Sequence, residues 1–341
     1  MTANVGKSVL MLGGYGSLGA RSSHMLRRLH PDQHLTIAGR DRRKAEALAE
    51  AIGNATAAQF DLDRADLGLP GDADFGVVVT ALRDHSLNSM RYAQALRVPY
   101  VALSDAAFEI GPLVARYIHA ASLAPVLMLG HGMGAVPTLA ALHFASAFRT
   151  IEAIEIGLIF DPADPLGPAS AADMERINRI GPAPLLVHGG RWRWATAEAA
   201  ARRFTGSDGS QHQGQAVGLV DVLSLSSTGS RSVRVDFAEG RTASSRRGEP
   251  PSHEVIIEIV GQRLDGTTDR HRYELVDSEG YAALSARGVA VAVERLLGLA
   301  GGPVQAPGLY LPEVLVDPAH MVRRLEAFGV RVTTVPANGS A

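Results

Sequence analysis

The 341-residue chain contains no cysteine. That excludes disulfides, thiolate metal sites and every mechanism built on a cysteine nucleophile, including hydride transfer through a thiohemiacetal. Lysine is almost as scarce, since Lys7 and Lys44 are the only lysines among 33 lysines and arginines. No Tyr-x-x-x-Lys pair can therefore exist, which removes the short-chain dehydrogenase mechanism in which a lysine lowers the pKa of a catalytic tyrosine. Neither lysine lies in a plausible substrate pocket, so Schiff-base chemistry is not expected. No apolar run reaches the length of a membrane span, and the N-terminus enters a strand without a charged and apolar leader, so a cytoplasmic protein with no membrane partner is expected. The net charge of -2 gives no chain-wide attraction to nucleic acid. The 12 histidines include no H-E-x-x-H and no paired helical spacing near carboxylates, so no metal is expected.

What is present is an ordinary globular composition, 46% hydrophobic and 20% charged, in a chain long enough for two domains. Ser8–Leu12 reads as a buried parallel strand and Ala20–Leu29 as the helix that follows. Between them, Gly14-Tyr15-Gly16-Ser17-Leu18-Gly19 completes G-x-G-x-x-G. At a strand-to-helix turn, Gly14 permits the tight turn, Gly16 lets the backbone approach a pyrophosphate, and Gly19 lets helix and strand pack closely. The helix N-terminus supplies free N–H groups and a positive dipole end. An ordinary glycine-rich loop is the bland alternative, and its position between strand and helix weighs against it.

The next strand, His34–Gly39, ends in Arg40-Asp41-Arg42-Arg43-Lys44 instead of the acidic residue that accepts hydrogen bonds from a ribose 2′-hydroxyl. An arginine there favours a 2′-phosphate, so the expected cofactor is NADP(H), with Arg40 as its reader. The alternative, Asp41 capping a helix from Arg42 with a solvated basic first turn, is compatible with this. Asp61, after the predicted strand Thr56–Phe60, reads either as an adenine contact or as a loop cap. Strands at Phe75–Ala81, Tyr100–Leu103 and Pro125–Leu129 alternate with helices at Ser86–Leu96 and about 107–122. This describes a Rossmann doubly wound parallel sheet. Ligands in such sheets lie beyond the carboxyl ends of the strands, which directs attention to Thr80, Ala81 and the segment to His85, and to Ser104 and Asp105.

The pattern changes at Gly130-His131-Gly132-Met133-Gly134, a glycine cluster suited to a hinge. Beyond it a helix at Val136–Phe148 and strands at Ile154–Phe160, Ala216–Ser224, Ser232–Phe237, Glu254–Gln262 and His271–Val276 predict a second α+β domain on a mixed or antiparallel sheet. Asp265-Gly266 suits a hairpin turn, and Ala238–Ser252 reads as a mobile surface loop tolerant of change. Helices are expected at Tyr281–Leu299 and, after Asp317, at Pro318–Phe328, with a frayed tail from Pro336.

The segments GGYGSLG (13–19), LTIAGRDRRKAEALA (35–49) and GLYLPEVLVDPAHMVRRLEAFGV (308–330) make the chain resemble the saccharopine dehydrogenase-like NADP-dependent oxidoreductases. The resemblance implies a Rossmann domain of residues 1–130 and 303–341, interrupted by a substrate and dimerisation domain of residues 131–302. It also implies a homodimer acting on a small molecule: reduction of an imine formed from an amine or amino acid and a carbonyl compound, or the reverse oxidation. Two departures concern the substrate. Tyr100-Val101-Ala102-Leu103-Ser104 stands where the family commonly has Y-V-D-L-S, and the later G-x-x-P-G-like turn survives only within Gly132–Pro137.

Reduction of a protonated imine needs little acid catalysis, so position and electrostatics dominate. Arg83, Asp84, His85, Asp105 and His131 are the ionisable groups expected near the nicotinamide, with His131 as a proton donor or as a hinge histidine bonding a carbonyl. Asp105 is expected to stabilise an iminium or to cap the following helix. Arg83, with Arg191 and Arg193 of GGRWRW, would hold a substrate carboxylate, while Trp192 and Trp194 on the other strand face are expected in the core. Two further readings stand beside imine reduction: a non-catalytic NADP(H)-binding sensor or scaffold, and a reductase of an activated C=C or C=O bond.

Overall fold

Strands covered on both faces need unbroken apolar runs, and Val9–Leu12, Phe75–Val79 and Tyr100–Ala102 are such runs, all buried. The computed structural model describes residues 6–120, 123–164, 166–180, 183–301 and 305–335. The expected frayed tail lies outside them. The chain begins β1 (Ser8–Leu12), α1 (Ser17–Leu29), β2 (Leu35–Gly39), α2 (Arg42–Ile52), β3 (Ala55–Gln59), β4 (Phe75–Thr80), α3 (Asn88–Leu96), β5 (Tyr100–Ala102), α4 (Gly111–Ile118) and β6 (Val126–Met128). It continues with α5 (Val136–Ala145), β7 (Phe148–Phe160), α6 (Pro168–Ile180), β8 (Leu185–His188), β9 (Arg191–Trp194), α7 (Ala197–Ala200), β10 (Ala201–Thr205), β11 (Gln211–Ala216), α8 (Asp221–Leu225), β12 (Ser232–Glu239), α9 (Ala243–Arg246), β13 (His253–Arg263) and β14 (Thr268–Asp277). Last come α10 (Tyr281–Leu297), β15 (Leu309–Tyr310), α11 (Pro312–Leu315), α12 (Pro318–Ala327) and β16 (Arg331–Val335).

The first compact unit comprises residues 1–130 and 285–316. Its sheet of 7 strands runs β15-β6-β5-β4-β1-β2-β3, parallel throughout. Strand order reverses at β1 and β4, the switch point at which such sheets bind ligands. Leu10, Leu12, Val78, Met90, Tyr100 and Leu113 form part of its core.

The second unit comprises residues 131–284 and 317–341. Its sheet of 9 strands runs β10-β11-β12-β7-β13-β14-β16 with the β8–β9 hairpin attached to β12. The pairing is mixed, because β12 is parallel to β7 while β13 is antiparallel to it. Ile154, Ile156 and Leu158 alternate into the core as the period-two pattern requires.

Three expectations from the sequence are corrected here. The C-terminal segment divides, and 317–341 cluster with the second unit because β16 hydrogen-bonds to β14, with Val332 opposite Leu275. The expected strand at Ala216–Ser224 is instead the end of β11 followed by α8. The expected mobile loop at Ala238–Ser252 is anchored: Thr242 donates through its N–H (2.8 Å) and its hydroxyl (2.9 Å) to Asp161, and the Ser252 N–H donates to Ser244 Oγ at 2.9 Å. Burial opposes the Asp161 charge, yet these bonds hold its pKa below the ordinary value.

Candidate functional site

In the first unit, β1 delivers the chain into a turn whose glycines are set by contact. A Cβ on Gly14 would lie 2.8 Å from the Met11 carbonyl oxygen, and one on Gly19 only 2.4 Å from that of Gly13. Gly16 differs, since its Cβ would meet only the Gly13 oxygen at 3.1 Å, and it is exposed. Its freedom from side chain leaves room for a ligand more than for the fold. Helix α1 starts at Ser17, three residues before its predicted start, with Gly16 as N-cap. No side chain caps it and its first turn holds no acidic residue, whereas α2 is capped by Asp41 and α12 by Asp317. The first-turn N–H groups of α1 and its positive dipole end are thus left for an external anion, and phosphate oxygens fit that donor set.

At the end of β2, Asp41 accepts from the N–H groups of Arg43 (3.0 Å) and Lys44 (3.3 Å), so the cap expected of it forms. Arg40 is exposed and its main chain is tied to the loop by Gln59, whose Nε2 donates to the Arg40 carbonyl at 3.2 Å. Arg42 pairs with Glu46 at 2.8 Å. Tyr15 lies against Gly39, where an added Cβ would fall 1.9 Å from the ring, and its hydroxyl accepts the Asp41 N–H at 3.2 Å. Asp61 accepts from the Asp63 N–H at 3.0 Å, which is the loop cap of its two readings.

Beyond β4 and β5, Thr80 is buried, and the Ala81 N–H donates to the Leu12 carbonyl at 2.9 Å, stitching this strand end to the fingerprint turn. Arg83 is not a free guanidinium: its Nη1 lies 2.9 Å from Asp105 and 2.8 Å from Glu109. Glu109 was not among the expected residues, because it lies in the turn between β5 and α4, where no helical spacing ties it to Asp105. The Asp84 carboxylate accepts from Ser86 and from the Ser89 N–H (2.8 Å) and hydroxyl (2.6 Å), and Ser89 in turn bonds the buried Tyr100 hydroxyl at 2.9 Å. Asp84 is thereby occupied in starting α3.

In the second unit, His131 is 6% exposed and shares a 2.8 Å hydrogen bond between Nε2 and the Ser224 hydroxyl. Burial pushes its pKa down to about 3. Its Nε2 partner is a hydroxyl and not the hinge carbonyl of its second reading. The segment 130–135 is buried throughout, with Met133 and Ala135 held at φ 45° and 66°, and the buried Asp221 accepts from Gly132 N–H at 2.8 Å and Thr138 Oγ1 at 2.6 Å. Arg191 and Arg193 are exposed on β9. Trp192 and Trp194, expected in the core, are 50% and 53% exposed. The reason is topological: β9 pairs only with β8, which is joined to β12 by the single pairing Val187–Val233, so nothing in the sheet covers the hairpin. The structure groups Arg83 with Asp105 in the first unit, while His131, Arg191 and Arg193 belong to the second.

No family model matches the sequence, and no curated protein matches it. Solved structures do. The saccharopine dehydrogenase (L-Glu forming) of Saccharomyces cerevisiae is similar with a TM-score of 0.64 at 15% identity, over 97% of this chain and 100% of that one. An amine dehydrogenase from Mycobacterium smegmatis is similar with a TM-score of 0.52 at 14% identity, over 92% and 95%. An oxidoreductase from Agrobacterium radiobacter, solved with NAD+, L-tartaric acid and magnesium, is similar with a TM-score of 0.50 at 13% identity, over 96% and 98%. The fold is saccharopine dehydrogenase-like.

Proposed function

We propose that the protein is an NADPH-dependent oxidoreductase that reduces an imine formed from an amine or amino acid and a carbonyl compound, or runs the reverse oxidation. The observation that carries the coenzyme reading is the uncapped N-terminus of α1 behind the exposed Gly16, on the sheet's switch point. Arg40, exposed at the end of β2 where a dinucleotide's ribose would be read, supports NADPH over NADH. When bound, the reduced nicotinamide supplies the hydride.

Support for C=N chemistry comes from the names of two similar structures, a saccharopine dehydrogenase and an amine dehydrogenase, and from the charge at the ends of β4 and β5. There the carboxylates of Asp105 and Glu109 are gathered on the Arg83 guanidinium, and carboxylates at this strand end would attract a cationic iminium. Arg83 positions those carboxylates in this reading. Hydride addition to an iminium yields a neutral amine and needs no proton donor, whereas a ketone would leave an alkoxide to protonate. The homodimer implied by the resemblance belongs to the same proposal.

Titration of the protein with NADPH and NADH tests the coenzyme reading. NADPH should bind more tightly, and Arg40→Ala should remove most of the difference, since a hydrogen bond to a charged group contributes roughly 1.5–3 kcal/mol. Equal affinities in the unmodified protein would refute it. Incubation with NADPH and a panel of cyclic imines, amino acid and aldehyde pairs, and enones, followed by nicotinamide absorbance, tests the chemistry. Consumption with enones alone would transfer the assignment to C=C reduction.

A further inference from the structure

At the coenzyme fingerprint, Tyr15 occupies the position between the first two glycines, yet its side chain serves the end of the neighbouring strand. Its ring fills the space where any side chain at residue 39 would begin, with Cε1 1.9 Å from the Cβ position of Gly39. Glycine at 39 is therefore a condition for the ring's seat, not for the backbone there. The Tyr15 oxygen accepts the Asp41 N–H at 3.2 Å. A phenol that accepts at its oxygen still has its own O–H to donate. The oxygen lies at the end of β2, on the N–H of the residue that follows Arg40, whose carbonyl Gln59 holds and which is itself exposed. Asp41 is meanwhile turned to the N–H groups of Arg43 and Lys44, so the one carboxylate on this loop is committed to the helix.

We propose that Tyr15 is a specificity-determining residue for the coenzyme, its hydroxyl donating to the 2′-phosphate of NADPH together with the Arg40 guanidinium. The inference rests on the dinucleotide reading above and adds a second reader to it. A hydroxyl whose oxygen already accepts is left to donate and a guanidinium can only donate, so a group read by both must be rich in acceptors, and a phosphate provides more acceptor oxygens than the 2′-hydroxyl of NADH. The seat on Gly39 holds the ring in place before the ligand arrives, so little rotamer freedom is lost on binding.

The test is equilibrium binding of NADPH, NADH, 2′,5′-ADP and 5′-AMP to the full chain and to Tyr15→Phe, which keeps the ring and removes only the hydroxyl. The expected result is a loss of about tenfold or more for NADPH and 2′,5′-ADP, with NADH and 5′-AMP within about twofold of the unmodified protein. Gly39→Ala, which drives the ring from its seat, should lose the same discrimination. Unchanged NADPH affinity in Tyr15→Phe, or an equal loss for all four ligands, overturns the role of the hydroxyl while leaving the coenzyme reading intact. An unmodified protein that binds none of the four overturns both.

Discussion

Two buried histidines give the second unit a defined response to acid. His131 and His253 are 6% and 1% exposed, and burial pushes each pKa down to about 3 from an ordinary 6.5. His253 is packed against the rings of Phe160 and Tyr281, 5.1 and 5.5 Å away between centroids. A depressed native pKa means that the unfolded chain takes up protons first. The stability associated with the neutral rings is therefore fully present above about pH 6.5, is lost as pH falls below it, and stops changing below about pH 3. Between pH 7 and pH 5 the loss is about 2 kcal/mol per histidine, at about 1.4 kcal/mol per pH unit once the unfolded imidazole is protonated, and about 4 kcal/mol for the pair. That is a large share of the 5–15 kcal/mol typical of a folded domain. Urea unfolding at pH 7 and pH 5 measures it. His131→Asn should reduce the difference between the two pH values by about 2 kcal/mol, and the double variant with His253→Asn by about 4. His34 and His212, also lowered by burial, are present in every variant and cancel in the comparison. A pH difference in the double variant equal to that of the unmodified protein would refute the reasoning, whatever the variants do to stability at pH 7.

Gly16→Val should abolish NADPH binding with circular dichroism and melting temperature nearly unchanged, since its Cβ meets only one atom, at 3.1 Å; loss of fold or retained binding would move the phosphate site elsewhere. Trp192 and Trp194 are the chain's only 2 tryptophans, so intrinsic fluorescence reports the β8–β9 hairpin alone. It should show red-shifted emission and strong acrylamide quenching, and blue-shifted, protected emission would mean that the hairpin is covered in solution.

Local signals carried far in the first unit. The apolar runs located β1, β2 and β4 within a residue or so, because a strand buried on both faces must be apolar throughout, and Asp41 and Asp317 marked helix starts because their carboxylates satisfy N–H groups only a few residues away. The role of Arg83 was not legible in the same way. Its charge is local, but the carboxylates that claim it arrive from the next strand end. Ala238–Ser252 looked like a free loop because its composition is polar, yet its polar groups are spent on Asp161 and on one another, 81 residues apart in the first case.

By itself, then, the sequence determined the order and type of the elements from β1 to β6, the glycine fingerprint with its basic residue after β2, and the chemistries ruled out by missing cysteine and scarce lysine. These depend on residues within a turn or strand of one another, or on what the chain cannot make at all. Tertiary structure alone decided that 317–341 join the second unit, that the tryptophans stand in solvent, and that Tyr15 crosses from one strand to seat on the glycine of another. It also decided that His131 is buried against the Ser224 hydroxyl. A sheet's order, the cover over a hairpin and the water around an imidazole are set by partners distant in the chain, and neither composition nor periodicity encodes which partner arrives.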